Sequence, residues 1–595
     1  MRLQVLAVLS LVVVAACKSE DGPLVCADPA TTLMFPTPAW MGGDTLTAPP
    51  GERGVEALRA IYPRWVDTVP LVNGLAQRPT FIIALDGEAT SVDATLIALY
   101  SSLADGLPIT RRQDVKFHAH LDARDHRTLI VEPINPLPVE FHEGVLAIDE
   151  LAIAGAKPLP ACAGGVPDPA YAAAMARLPE DVTAAFAMAF RTATDYTMLN
   201  DLFTHLMSEP ALEVVSAESR ALESFGDAAP ATAVADVLLP NAASGVLRLP
   251  DYRADGVISR EASGAPHAVG TTEPAFVAAF PATGSAPYPF VLYQHGGGQS
   301  PTDIFLVAQQ LAAAGFAFFA IDLPEHGHRG PADGTANDLD YIHFEDLIAT
   351  RSNFQQTVAD HMAIMTGLDA VNAALEPITG APVTLDPARG FYMGMSIGAI
   401  SGSITFATTP NLRAGAVFVG AGGYPELVST GLFSVLASRI VSRPEVEREV
   451  LLAIGETLLD AADPLAYAQR AEDRSVVPRD MIFFQAVGDP LIPLEASDQW
   501  SRAFGAEVAL PRDHDVEAIL DVELPTSNNF AWLPDWDHAT RMQIQCPMNE
   551  VAPADRHSAL VRQPYAQELV EHCFSGLLAS DDPHCQIIDT GFSEH

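Results

Sequence analysis

Gly394-Met395-Ser396-Ile397-Gly398 stands between an apolar run, Phe391 to Met395, and a run of small residues, Ala399 to Gly402. Read as strand, tight corner and helix, this arrangement admits few folds. Side chains at the two glycine positions would strike the adjoining strand or helix, and the serine hydroxyl is pushed outward. The surrounding rhythm agrees with a layered α/β domain built on a mainly parallel sheet. Pro289 to Gln294 and Gly315 to Ile321 read as strands flanking a helix over Asp303 to Ala314, and Ala414 to Val419 and Met481 to Val487 read as further buried strands. Phe354, Val358, Met362 and Met365 recur at spacings of four, four and three, one face of a helix.

Chemistry-bearing residues fall at the ends of these runs. Ser396 is the candidate nucleophile. The strand Pro289 to Gln294 enters His295-Gly296-Gly297-Gly298. An acyl-transfer intermediate needs backbone N–H groups aimed at its oxyanion, and glycine lets the chain come that close. Gly297, with Gly298 as the alternative, is the candidate donor beside the N–H of Ile397; His295 reads as a hydrogen-bonding residue of the loop. Gly488-Asp489-Pro490 follows the strand Met481 to Val487 and offers an acid. Two histidines compete as base. His557 precedes a helical segment, Gln563 to Phe574, and follows an alternating strand, Thr540 to Gln545, which favours it; His538 would require Asn529 to Leu533 as that strand.

Taken together, residues 281 to 595 resemble the α/β-hydrolase family, in the HG phrase, the loop Asp322-Leu323-Pro324-Glu325-His326-Gly327, the serine corner and the chain order of serine, acid and histidine. The resemblance implies a triad of Ser396, Asp489 and His557, a helical cap at about 424–470, and no metal or organic cofactor. It also implies a structural role for Asp322, His326 and His328, which could otherwise be imagined as metal ligands. An insertion from about Ala506 to Asn528 departs from a minimal member of the family.

The first half is patterned differently. Short apolar or alternating runs such as Phe81 to Leu85, Thr128 to Val131 and Val145 to Ile148 predict a smaller β-rich, sandwich-like domain over 29–225, with helical stretches near Ala170 to Phe190 and Tyr196 to Met207. The phrase Ile130 to Pro138, with Phe190-Arg191-Thr192 after it, is similar to the N-terminal domain of extracellular bacterial lipases of the virulence-factor type. An Ala-, Pro- and Asp-rich linker is expected over 226–243, and the catalytic domain over 244–595.

The chain begins with Arg2, an apolar run from Leu6 to Ala16, and Val14-Ala15-Ala16-Cys17. The run is too short to span a bilayer and ends in small residues, as a cleaved signal peptide does. Small residues followed by Cys17 resemble the lipobox of bacterial lipoproteins. The resemblance implies a signal peptide over 1–16, acylation of Cys17, a tether over 17–28 and, with Lys18 rather than Asp at the next position, the outer membrane. Five cysteines remain, an odd number; Cys26 with Cys162, and one pair among Cys546, Cys573 and Cys585, is the simplest arrangement. Neither a CxxC pair nor HExxH occurs, so zinc-finger and zincin chemistry lack support.

Composition closes other routes. Asp and Glu number 75 against 33 Lys and Arg, a net charge of −42, which repels nucleic acid. Lysine occurs only at 18, 116 and 157, leaving no polybasic stretch to hold anionic lipid. The expectation is therefore a lipid-anchored serine hydrolase acting on a carboxylic ester or lipid. A peptidase or acyltransferase on the same fold, or a non-catalytic surface lipoprotein, are the alternatives.

Overall fold

The computed structural model describes residues 26–102, 109–137, 143–194, 197–221, 225, 241–254, 257–261, 265–330, 340–468, 479–530, 539–579 and 585–592. Cys17 with its leader and tether up to residue 25, residues 226–240 of the expected linker, and His538 lie outside them.

Among the described residues twelve strands make one sheet: β1 (Glu213–Arg220), β2 (Asn241–Asp251), β3 (Gly270–Thr272), β4 (Ala275–Phe280), β5 (Tyr288–Gln294), β6 (Ala317–Ile321), β7 (Leu385–Met395), β8 (Leu412–Phe418), β9 (Asp480–Ala486), β10 (Glu507–Ala509), β11 (Asp521–Val522) and β12 (Arg541–Cys546). Their order is β1-β2-β4-β6-β5-β7-β8-β9-β12-β10-β11, with β3 beside β2. β1, β2 and β4 pair antiparallel, and β4 meets β6 antiparallel. From β6 to β11 every neighbour is parallel.

The parallel strands carry almost unbroken apolar runs because both their faces are covered. Alternate side chains go to opposite sides. Val291, Tyr293, Phe318, Phe391 and Met393 pack with Leu569, Val570 and Phe574 of the helix Pro564–Ala579. Phe290, Leu292, Phe319, Tyr392 and Phe483 pack with Val358 and Met362 of the helix Leu347–Thr366. That helix is buried nearly all round, which explains why its sequence face was only part of its story. Among the described residues no helix is long and apolar enough to cross a membrane.

Before β1 the described residues form, beside two two-stranded sheets, two larger antiparallel ones. One orders Phe81–Ala84, Thr128–Pro133 and Phe117–Leu121; the other orders Phe186–Arg191, Glu143–Ile148, Ile97–Ser102 and Ile109–Arg112. Phe81 meets Phe190 edge-on, ring centroids 4.9 Å apart, within one apolar core that both larger sheets share.

Several boundaries differ from the sequence expectation. Ala170 to Phe190 is not one helical stretch: the helix Pro169–Arg177 stops before Leu178-Pro179, because the residue ahead of a proline avoids helical geometry, and Phe186–Arg191 then pairs with Glu143–Ile148. Asp303 to Ala314 breaks into Ile304–Val307 and Gln309–Ala313. The helix Thr197–Ser208 buries Met198, Leu199, Leu202 and Leu206 in the core of the large sheet, and Glu213–Arg220 pairs with β2. Thr197–Ser208 and Glu213–Arg220 thus join the large sheet, although they precede 225 in the chain.

The segment expected as a cap is, in its described residues 424–468, mainly helical: Tyr424–Leu427, Gly431–Leu436, Ser438–Val441 and Glu445–Leu459. It has no core of its own. Tyr424, Val428, Ile440, Val450, Leu451 and Leu458 share one apolar cluster with Val55, Leu58, Trp65 and Ile82 of the first half. Polar ties run alongside: Trp65 Nε1 donates to Phe344 O (3.1 Å), Gln77 N–H to Asp460 Oδ1 (2.7 Å) and Ala123 N–H to Glu445 Oε2 (2.8 Å). Arg78, 3% exposed in its side chain, faces Glu426 at 2.7 Å, Glu132 at 3.2 Å and Glu456 at 3.7 Å. Disulfides join Cys26 to Cys162 and Cys573 to Cys585, and Cys546 is a buried free thiol.

One regularity concerns the carboxyl ends of the parallel strands. Each of six strands leaves the sheet through a residue of positive φ: Gly298 after β5, Glu325 after β6, Ser396 after β7, Val419 after β8, Gly488 after β9 and Met548 after β12. Four of these carry a Cβ, in a region that L-residues seldom occupy.

Candidate active site

Ser396 sits at φ 56°, ψ −119°, between β7 and the helix Ile397–Thr408. Its N–H donates to Phe418 O on β8 at 2.9 Å, which fixes the corner to the neighbouring strand. The flanking glycines are sterically required. A Cβ at Gly394 would lie 2.3 Å from Gly398 O, and one at Gly398 would lie 2.2 Å from Gln294 O. Ser396 itself is half-buried.

Asp489 and His557 are brought together. His557 Nδ1 lies 2.8 Å from Asp489 Oδ2, with side-chain exposures of 8% and 2%. The second carboxylate oxygen, Oδ1, accepts the N–H groups of Leu491 (2.7 Å) and Ile492 (3.1 Å). Such a carboxylate is oriented on both sides. His557 opens the short helix Arg556–Ala559 after β12, ahead of Pro564–Ala579, where the strand-then-helix reading put it. Arg556 donates from Nη1 to Val487 O at 2.9 Å and so ties the histidine loop to the acid loop. A Cβ at Gly488 would meet that guanidinium at 2.4 Å. Sequence reasoning passed over Arg556, although its position beside the histidine was a usable signal. Among the described residues no hydrogen bond links the Ser396 hydroxyl to His557, a contact that often tightens only with substrate in place.

The glycine loop after β5 lies against the corner, since a Cβ at Gly296 would come within 3.0 Å of Ser396 Cβ. Gly296 N–H donates to Gln299 Oε1 (2.8 Å), and Gly298 N–H donates to His326 Nε2 (3.1 Å). The alternative donor, Gly298, is thus already engaged. Among the described residues the N–H groups of Gly297 and Ile397 enter no hydrogen bond. His295 is wholly buried, and burial holds its imidazole down at about 3, hence neutral; Nε2 accepts Leu323 N–H at 3.2 Å. Asp322, pushed up by burial, accepts the N–H groups of Ala275 and His328 at 3.2 Å each. Asp322, His326 and His328 do not converge as ligands: among the described residues no group of three or more His, Cys, Asp or Glu is arranged to hold a metal ion.

Beside Ser396 lies a narrow cavity of about 80 Å³, walled by Ile342, Phe354, Ile400, Leu427, Phe433 and Ile492. One acid reaches this wall. Asp463 accepts Gly423 N–H (2.8 Å) and Leu465 N–H (2.9 Å), and burial pushes its carboxyl up to about 6 against those two donors. Asp463 was passed over in the sequence: its bond to Leu465 N–H is a local cap ahead of Pro464, but its bond to Gly423 N–H spans forty residues and has no local pattern.

Strand order, serine corner and buried acid–imidazole pair define a layered α/β protein in which a serine, an acid and an imidazole stand at the carboxyl edge of a parallel sheet. No family model matches the chain, and no curated protein matches it. Solved structures do. Acetyl xylan esterase 1 from Thermoanaerobacterium sp. is 13% identical over 58% of this chain and 86% of its own, with a TM-score of 0.31. The acetyl xylan esterase of Paenibacillus sp. R4 is 14% identical over 56% of this chain and 87% of its own (TM-score 0.34). The acylaminoacyl peptidase of Pyrococcus horikoshii is 14% identical over 48% of this chain and 38% of its own (TM-score 0.26). Similarity at this level is silent on substrate.

Proposed function

We propose that the chain is a serine hydrolase of the α/β-hydrolase type that cleaves carboxylic esters through Ser396, Asp489 and His557. The observation that carries this reading is the buried 2.8 Å contact of His557 with Asp489, at the same sheet edge as a serine held at φ 56°. Asp489 fixes the imidazole by its Nδ1–H, so Nε2 is free to take the Ser396 proton during attack on the ester carbonyl. The N–H groups of Gly297 and Ile397 receive the oxyanion. His557 then protonates the leaving alcohol, and water repeats the cycle on the acyl-enzyme.

The cavity supports a short acyl group. Sites for drug-sized ligands measure roughly 300–1,000 Å³, and this one measures about 80 Å³. We place the enzyme outside the cytoplasm, anchored through an acylated Cys17 in the outer membrane, a reading supported by the lipobox-like Val14 to Cys17.

The test is hydrolysis of a chromogenic ester series from acetyl to palmitoyl by protein beginning after Cys17, beside labelling by a fluorophosphonate. Serine-dependent turnover with a short-chain optimum supports the proposal. Labelling at Ser396 without turnover of any ester would transfer the site to a peptidase or acyltransferase, and absence of both would leave a binding lipoprotein. Anchoring is checked separately, by mass spectrometry of the mature N-terminus.

A further inference from the structure

Two loops meet at the reactive edge, one after β5 and one after β6, and each holds the other through a histidine. From the first, His295 Nε2 accepts Leu323 N–H at 3.2 Å. From the second, His326 Nε2 accepts Gly298 N–H at 3.1 Å. The rings meet edge-on with centroids 5.5 Å apart. His326 is 6% exposed, and Tyr341 packs on its far side with centroids 6.2 Å apart.

The tautomer of His326 follows from its partners. Nδ1 lies 2.9 Å from Pro324 O, which can only accept, so Nδ1 carries the hydrogen. Nε2 faces an N–H donor and must be the bare acceptor. The imidazole is therefore neutral and locked at both nitrogens. The turn that carries it is shaped for this purpose. Glu325 has φ 61°, and Gly327 has φ 50° where a Cβ would strike the Asp322 carboxylate at 2.3 Å.

Of three successive amide N–H groups, the outer two are tied down. Gly296 N–H goes to Gln299, itself directed by a 3.7 Å contact of Nε2 with Met395 Sδ, and Gly298 N–H goes to His326. The N–H of Gly297 lies between the two fixed groups. Resting on the triad reading above, we infer that His326 is a positioning residue for transition-state stabilisation: by holding Gly298 it aims the Gly297 N–H at the oxyanion without touching substrate. A misdirected donor weakens binding of the tetrahedral intermediate more than that of the ground-state ester, so the loss belongs in kcat and not in KM.

The experiment compares the full chain after Cys17 with His326→Leu and His326→Gln. Two rates are read: turnover of a short-chain chromogenic ester, and phosphonylation of Ser396 by a fluorophosphonate, whose P=O oxygen occupies the oxyanion position. Glutamine retains an acceptor at about the reach of Nε2; leucine retains only bulk. His326→Leu is expected to lose roughly 10- to 100-fold in kcat and in phosphonylation rate, with KM within about twofold, below the full 10²–10³ of a deleted donor. His326→Gln is expected to recover most of that loss. Equal rates in parent and His326→Leu would overturn the inference while leaving the triad standing, as would a His326→Gln no faster than His326→Leu. A parent that neither turns over ester nor labels at Ser396 would overturn the hydrolase reading and this one with it. Should His326→Leu fail to fold, His326→Asn takes its place: its amide is too short to reach Gly298, so rates equal to those of His326→Gln would refute the assignment.

Discussion

At the scale of single residues, the site depends on atoms with no room to spare. Gly394→Ala places a methyl 2.3 Å from a carbonyl oxygen, and overpacking of that kind costs about 1–3 kcal/mol. A lowered midpoint in urea, with unchanged slope, is the expected result. Ser396→Ala removes a half-buried hydroxyl and is expected to lower kcat by about 10⁴- to 10⁶-fold with the unfolding midpoint preserved. His557→Ala should fall comparably, whereas His538→Ala should stay within a few-fold of the parent; steady-state kinetics on one short-chain ester separates them. The candidate serine and acid were legible because each follows an apolar strand at a turn, and the histidine because it lies between an alternating strand and a helical segment. Gln299 and Asp463 were passed over although each has a partner close in the chain, Gly296 and Leu465; for His326 a structural role was expected, but its tie to Gly298 joins two loops and follows no local pattern.

Elements tell a similar story about what can be read from order alone. β5 to β9 stood out as continuous apolar runs because strands covered on both faces have no polar side to show. Asp303 to Ala314 and Ala170 to Phe190 misled, since apolar content without a clear period fits a broken helix, or a helix followed by a strand, as well as one helix. The short helix Gly431–Leu436 brings Phe433 to the cavity wall. Phe433→Ala is expected to lengthen the preferred acyl chain by about two to four carbons, the volume of the ring removed, in the same chromogenic series. Asp463 governs a pH response of this region. Its carboxyl is raised to about 6 in the folded chain, from an ordinary value near 3.9. The stability it contributes is full below the ordinary value and is lost as pH rises through about 6. Asp463→Asn should therefore flatten the decline in unfolding midpoint between pH 4 and 6 relative to the parent.

For the whole molecule, the two halves are one mechanical unit. The helices within 424–459 bury apolar residues against the first half, so that half supports one wall of the cavity beside Ser396. This arrangement was hidden in the sequence, where Trp65 and Ile454 are separated by most of the chain. Arg78 is the polar centre of the junction. Burial pushes the Glu456 carboxyl well above its ordinary range, and Arg78 opposes that shift. Removing one partner of a buried ionic cluster leaves the rest uncompensated, at a cost of about 3–5 kcal/mol. Arg78→Met is expected to lower the unfolding midpoint and to raise hydrogen exchange in Glu445–Leu459 more than in the helix Pro564–Ala579. Equal exchange in both helices would show that Arg78 does not act on the cap.

The positive-φ residues that end six parallel strands have a consequence for how this protein dies when heated. Glu325, Ser396, Val419 and Met548 each hold a conformation worth about 1–3 kcal/mol of strain, and all of them lie on one rim. Among the described residues the opposite rim carries fewer, Ala518 ahead of β11 and Asn528 beside Thr540. Local opening should begin where the strain is concentrated, so catalysis is expected to fade several degrees before circular dichroism registers any loss of sheet. A heated sample would pass through a form that is folded, compact and inert. Its working lifetime would then be set by the softness of one edge, while the sheet beneath remained intact.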